Sequence, residues 1–237
     1  MTRQYSKIVK IHYIKLLYRS AIFFAAIASY IIPGSGEGLE GYFSRKLLLL
    51  VWVVFMAEML SRFFPSKLES MGCQKQFAKN FTPTQLPLPR LILTPAKRVA
   101  GTIAAWCLLN GAIALLYFEE IIDEGIMLLV SLFYSVCDMI CILFFCPFQR
   151  WFLGNRCCTT CRIYNWDFAM MFTPMLFIGG GFALSLALIS LALFIRWEVT
   201  YKLHPERFSF STNRSLECAN CREKLCLHNP HLLKKRS

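Results

Sequence analysis

Five apolar stretches, parted by short polar or basic segments, set the pattern of the chain, and each is long enough to cross about 30 Å of hydrocarbon as a helix. The first runs from about Leu16 to Ile32 and the second from about Leu47 to Phe64. The third and fourth cover about Val99 to Phe118 and Ile126 to Phe145. The predicted fold class is all-α, a polytopic transmembrane helical bundle with a cysteine-rich loop and a soluble C-terminal tail.

The fifth stretch, Phe168 to Ile195, has 28 residues and would make a helix of about 42 Å, longer than one crossing needs. It contains Thr173-Pro174 and the run Gly179, Gly180, Gly181. As one kinked span it sends the tail to the opposite face. As a re-entrant hairpin turning at the glycines it keeps the tail on the face of the basic loops, where most Lys and Arg then gather. A re-entrant backbone needs protein cover, so the single span is the expected form.

The segments between these stretches divide the chain. Residues 1–15 form a basic cytoplasmic lead-in with Arg3, Lys7, Lys10 and Lys15; 16–195 are the transmembrane domain; 196–237 are a basic Cys/His-rich tail. Within the domain, residues 62–98 form a basic connection whose run FTPTQLPLPRLILTP is too rich in proline for a regular helix. It is expected to lie along the inner surface as a lid or docking strip. FEEIIDEG carries four carboxylates and suits the outer side. The loop 146–167 is rich in cysteine.

Composition agrees with a membrane protein, since 56% of residues are hydrophobic and only 17% charged. The formal charge of +12 would raise nucleic acid as a partner in a soluble chain. Here basic residues flanking apolar stretches point to the cytoplasmic face and to anionic lipid instead. Arg19 interrupts the first stretch and no small-residue cleavage site follows, so no removable leader is expected. The expected location is an integral membrane, a bacterial plasma membrane or a eukaryotic endomembrane, with the N-terminus and the cysteine loop cytoplasmic. Lys234-Lys235-Arg236-Ser237 resembles a dilysine retrieval signal.

Two of the cysteine groupings have the density of ligand sets. In the tail, Cys218, Cys221, Cys226 and His231 follow C-x2-C-x4-C-x4-H, four ligands that can close a tetrahedron around zinc. In the loop, Cys146, Cys157, Cys158 and Cys161 match no standard zinc spacing and suit an iron–sulfur cluster or redox thiols. Arg156 and Arg162 flank them, and positive charge favours thiolates. A disulfide, or thiols with no role, is the competing reading of each.

Charges inside the apolar stretches mark a functional site by default. Arg19, Glu58, Arg62 and Asp138 fall at similar depth, which implies a shared polar pocket. Glu58 and Arg62 are four apart and can neutralise each other on one helix. Asp138 has no such neighbour and needs Arg19, Arg62, water or a proton. Cys137 and Cys141 share a helix face beside it. All four histidines lie outside the predicted spans, which excludes a transmembrane bis-His haem. No Walker loop, GxSxG elbow or HExxH helix is present, so hydrolase, kinase and protease chemistry have no signature.

The function expected from these features is a membrane redox or electron-transfer subunit, an oxidoreductase component linking a soluble partner to an intramembrane pocket. Cys146, Cys157, Cys158 and Cys161 hold its redox centre, and Cys218, Cys221, Cys226 and His231 a zinc or second cluster. Asp138 and Glu58 handle protons near a quinone-like or other small ligand. Lipids and further protein subunits are its expected partners. A zinc-stabilised membrane scaffold and a small ion or solute transporter are the alternatives.

Overall fold

The computed structural model describes residues 6–32, 38–66, 73–84, 91–155 and 161–221. Among them the chain is helical throughout, with one isolated antiparallel bridge between Pro83 and Asn213. Helix α1 covers Lys7–Ile31, α2 Leu39–Tyr42, α3 Arg45–Ser61 and α4 Cys73–Gln76. Then come α5 at Ala96–Phe118, α6 at Glu124–Leu143, α7 at Asp167–Met171 and α8 at Gly181–Leu203. Four of these, α1, α5, α6 and α8, are long and apolar enough to cross a membrane. α3 has 17 residues, a length of about 26 Å.

Capping residues place the helix starts. Ser6 accepts from the Val9 N–H, Ser44 from Leu47 and Asp123 from Ile126, each satisfying a donor that the first turn leaves orphaned. α1 therefore begins at Lys7 and not near Leu16, and Lys7, Lys10 and Lys15 of the basic lead-in lie in its first turns. Long lysine stems tolerate this because their apolar carbons lie along the helix while the ammonium reaches outward. At the other end of the chain, α8 runs to Leu203 and carries Arg196 and Lys202.

α1 and α6 lie antiparallel, joined near their middles by Arg19–Asp138 and at their far ends by the Tyr30 hydroxyl donating to Asp123. α3 packs between α1 and α8, where the Trp52 indole N–H donates to Ser185 at 2.9 Å. Leu17, Phe24, Leu108 and Leu188 point away from the bundle and are more than half exposed, as side chains facing lipid would be.

Residues 168–195 do not form one helix. Pro174 has no N–H to give to the preceding turn, and the segment breaks into α7 and a 3-10 turn at Thr173–Leu176. The chain then reverses at Gly180, whose φ of 93° is one that side chains rarely adopt. Trp166 accordingly packs on Phe194 and donates to Glu198, while Phe177 meets Phe118 at the far end of α5. The broken segment lies inside the bundle: Phe168, Met171, Phe172 and Met175 are all at most 1% exposed. Protein surrounds it, which is the condition for irregular backbone at membrane depth.

The tail returns to the end of the bundle where α3 finishes. Asn213, fully buried, donates to the carbonyls of Lys75 and Arg207, and the Arg214 N–H donates to Thr82. The connection after α3 is thus held by residues 205–221, and the Ile92 N–H adds a bond to Ser209. Gly154 closes a π turn at Phe148–Leu153 with φ 64°, and a Cβ there would meet Arg98 Nη1 at 2.5 Å. That glycine lets Arg98 reach the Leu153 carbonyl and fix the cysteine loop to the start of α5.

At the opposite end, a Cβ on Gly125 would lie 2.7 Å from the Tyr30 ring and 2.9 Å from Tyr42, two rings stacked 5.6 Å apart. Overpacking costs about 1–3 kcal/mol, against a helix-propensity gain of at most about 1. Gly125→Ala is expected to be net destabilising, seen as a lower midpoint in mixed-micelle denaturation.

Candidate functional site

Three cations and three carboxylates meet inside the bundle. Arg19 is completely buried, and its guanidinium donates to Glu58 at 2.5 Å, to Asp138 at 3.1 Å and to the Ser135 carbonyl at 3.0 Å. Lys15 reaches Glu58 at 3.0 Å and the Tyr18 hydroxyl donates to it as well. Arg62 binds Asp167 at 2.7 Å. The Phe168 ring lies beside both guanidiniums, 5.9 Å from Arg19 and 5.1 Å from Arg62, with Phe55 and Tyr164 as further faces. The network is neutral overall, as a set of charges removed from water must be to persist.

The predicted shared pocket therefore exists, with different pairings. Glu58 does not neutralise Arg62 on its own helix. It turns toward α1, whose Lys15 and Arg19 stand one turn apart on the same face, while Arg62 at the end of α3 reaches α7. Asp138 finds its partner in Arg19. Asp167 was not singled out in the sequence; its one signal is an acid directly ahead of an apolar run.

Beside the network is a small cavity of about 110 Å³ with mainly apolar walls. Asp138 and Asp167 reach it from the charged side, and Cys137, Cys141, Cys146 and Cys161 all line it. Trp106, Tyr134 and Phe148 supply aromatic faces, with Trp106 centred 4.8 Å from Tyr134 and 6.0 Å from Phe148. Four thiols from α6 and both ends of the cysteine loop thus share one space.

The thiols differ in chemistry. The Cys146 sulfur neighbours Cys141 and accepts the Gln149 N–H at 3.4 Å. The Cys141 thiol foremost, with the backbone N–H beside it, holds Cys146 below the usual thiol range. Cys161 is the reverse case, pushed up to about 12 by burial. Arg162 does not activate it, because its guanidinium is paired with Glu198, at 3.0 Å through Nε, and lies 4.1 Å over the Tyr201 ring. At neutral pH the Cys161 thiol keeps its proton. Its alkylation at pH 8 is expected to be at least about 100-fold slower than that of the exposed Cys218, rising with pH, as mass spectrometry of iodoacetamide-treated protein will show.

Of the predicted redox centre, Cys146 and Cys161 line the cavity, while Cys157 and Cys158 lie outside the described residues. In the predicted zinc set, Cys218 begins a 3-10 turn that Cys221 follows, and Cys226 and His231 lie outside the described residues. Among the described residues no three His, Cys, Asp or Glu side chains are grouped to hold a metal. His12, expected outside the spans, is within α1 and 1% exposed, and neither ring nitrogen has a hydrogen-bond partner among the described residues. Comparison of the chain with protein-family models, with curated proteins and with solved structures finds no match, so the reading of this site rests on its own geometry.

Proposed function

We propose that the protein is a membrane thiol-redox component, passing reducing equivalents between a soluble partner and a small acceptor in the cavity. The observation that carries this reading is the convergence of Cys137, Cys141, Cys146 and Cys161 with Asp138 and Asp167 on one space inside the bundle. Thiols give up protons with their electrons, and the carboxylates beside them stand where those protons leave. The iron–sulfur and zinc assignments are not needed for this chemistry.

Orientation follows from charge. The end that gathers the start of α1, the cysteine loop and the tail carries Lys7, Lys10, Lys75, Lys79, Lys97, Arg98, Arg150 and Arg214. The opposite end carries Glu40, Glu119, Glu120, Asp123 and Glu124 against Arg45 and Lys46. The positive-inside bias makes the first end cytoplasmic, with α3 as a fifth crossing and the broken segment plus α8 as a covered hairpin.

The test is reversible thiol oxidation in anaerobically purified protein in detergent. Mild oxidant is expected to remove two cavity thiols from alkylation, dithiothreitol to restore them, and metal content to stay unchanged throughout. Cavity thiols that remain fully alkylatable under oxidant rule the reading out.

A further inference from the structure

We propose that Cys141 and Cys146 are a dithiol–disulfide couple whose oxidant is a quinone seated in the adjoining cavity. This deepens the thiol-redox reading, on which it rests, by naming the reacting pair and the substrate class. The pairing is not what a regular helix provides, since residues five apart point about 140° away from each other. Here the end of α6 is distorted. The N–H groups of both Phe144 and Phe145 close on the Ile140 carbonyl, at 2.8 and 3.2 Å, and the second of these spans five residues. That wider turn re-aims the chain after α6, and Cys141 and Cys146 both line the cavity as neighbours.

The space beside the pair suits a quinone ring. Its volume, about 110 Å³, is somewhat below the roughly 150 Å³ of apolar cavities that take up benzene, and the space is open on one side, so a quinone ring enters it edge-first with its substituents outside. Trp106, Tyr134 and Phe148 offer faces for a planar ring. The Tyr134 hydroxyl is buried with no hydrogen-bond partner among the described residues, a donor that a quinone carbonyl would satisfy. Both cysteines are partly exposed, so a lipid-soluble molecule reaches them from the bundle's flank.

The electron count closes without a metal. Cys146, the sulfur that accepts the Gln149 N–H, adds through its thiolate to a ring carbon of the quinone. The Cys141 thiolate then attacks the Cys146 sulfur, and the S–S bond forms as the C–S bond breaks. Two electrons from the thiols stay with the departing ring, and the two S–H protons end on its oxygens as a quinol.

The experiment uses the full chain in detergent, reduced and desalted anaerobically, then mixed with 2,3-dimethoxy-5-methyl-1,4-benzoquinone. Quinone absorbance and the alkylation-mapped disulfide are read together. The expected result is about one quinone reduced per chain with a Cys141–Cys146 disulfide, and quinone reduction at least about tenfold slower in Cys141→Ser or Cys146→Ser. Tyr134→Phe is expected to raise severalfold the quinone concentration that gives the half-maximal single-turnover rate, while leaving oxidation of the pair by diamide unchanged. The wild-type peptide map stands by itself should a variant fold poorly. If diamide links the pair and the quinone does not, the quinone assignment falls and the thiol-redox reading stands. If neither oxidises any cavity thiol, both fall. A stable ring–sulfur adduct, or a disulfide between other cysteines, overturns the couple.

Discussion

Arg19→Ala is expected to be the most damaging single substitution in the chain. The side chain is wholly buried and serves two carboxylates on two other helices, so its loss leaves Glu58 with Lys15 and Tyr18, and Asp138 without its arginine. Breaking a buried pair by removing one partner costs about 3–5 kcal/mol, and here two pairs share the removed group. Against a typical folding free energy of about 5–15 kcal/mol, that takes much of the stability. Lysine is not an adequate substitute, since a single ammonium lacks the planar fork that holds Glu58, Asp138 and the Ser135 carbonyl at once. The measurement is the denaturation midpoint in mixed micelles. Neutralising the orphaned acids, with Glu58→Gln and Asp138→Asn in an Arg19→Met background, is expected to recover part of the loss. A midpoint within about 1 kcal/mol of wild type for Arg19→Ala shows that the network is not a structural anchor.

Arg62→Ala is expected to come second, at about 2–4 kcal/mol, and to act on a different part of the molecule. Its partner Asp167 opens α7 and is 3% exposed at the side chain, which among the described residues leaves it the Phe168 N–H at 2.9 Å once the guanidinium is gone. The substitution also removes the cation lying over the Tyr164 and Phe168 rings. Both effects loosen the broken segment that forms one wall of the cavity. A second reading therefore accompanies the stability loss: Cys161, six residues before Asp167 and buried in that wall, becomes accessible to alkylation. Asp167→Asn keeps a hydrogen-bonding group and nearly the same shape, so its cost is expected to be smaller, about 1–2 kcal/mol. Equal losses in the two variants, with Cys161 still protected, place the pair outside the support of the cavity.

Part of the site is legible in the sequence. Arg19, Glu58, Arg62 and Asp138 are conspicuous because charges are costly in apolar stretches, and their similar depth along the proposed spans is enough to bring them together. Their pairing was not legible. Glu58 and Arg62 have a helical spacing that invites an ion pair, and only the positions of α1 and α7 show that each has a closer partner elsewhere. Cys141 and Cys146 were assigned to separate features, a helix face and a loop. The five-residue closure at Ile140 that joins them has no sequence signal beyond the nearby Pro147.

The sequence alone determined that this is a helical membrane bundle, because span length and apolar content are properties of single segments set by the thickness of hydrocarbon. The helix starts at Arg45 and Glu124 lie two residues ahead of the apolar stretches read at Leu47 and Ile126, because Ser44 and Asp123 cap those first turns. The reversal at Gly180, the inward course of residues 167–175 and the gathering of four thiols with two acids were decided by the tertiary structure. Each depends on cover or partners supplied by distant segments: a broken helix is tolerable only where α1, α3, α6 and α8 enclose it, and a buried charge only where another helix brings its counterion.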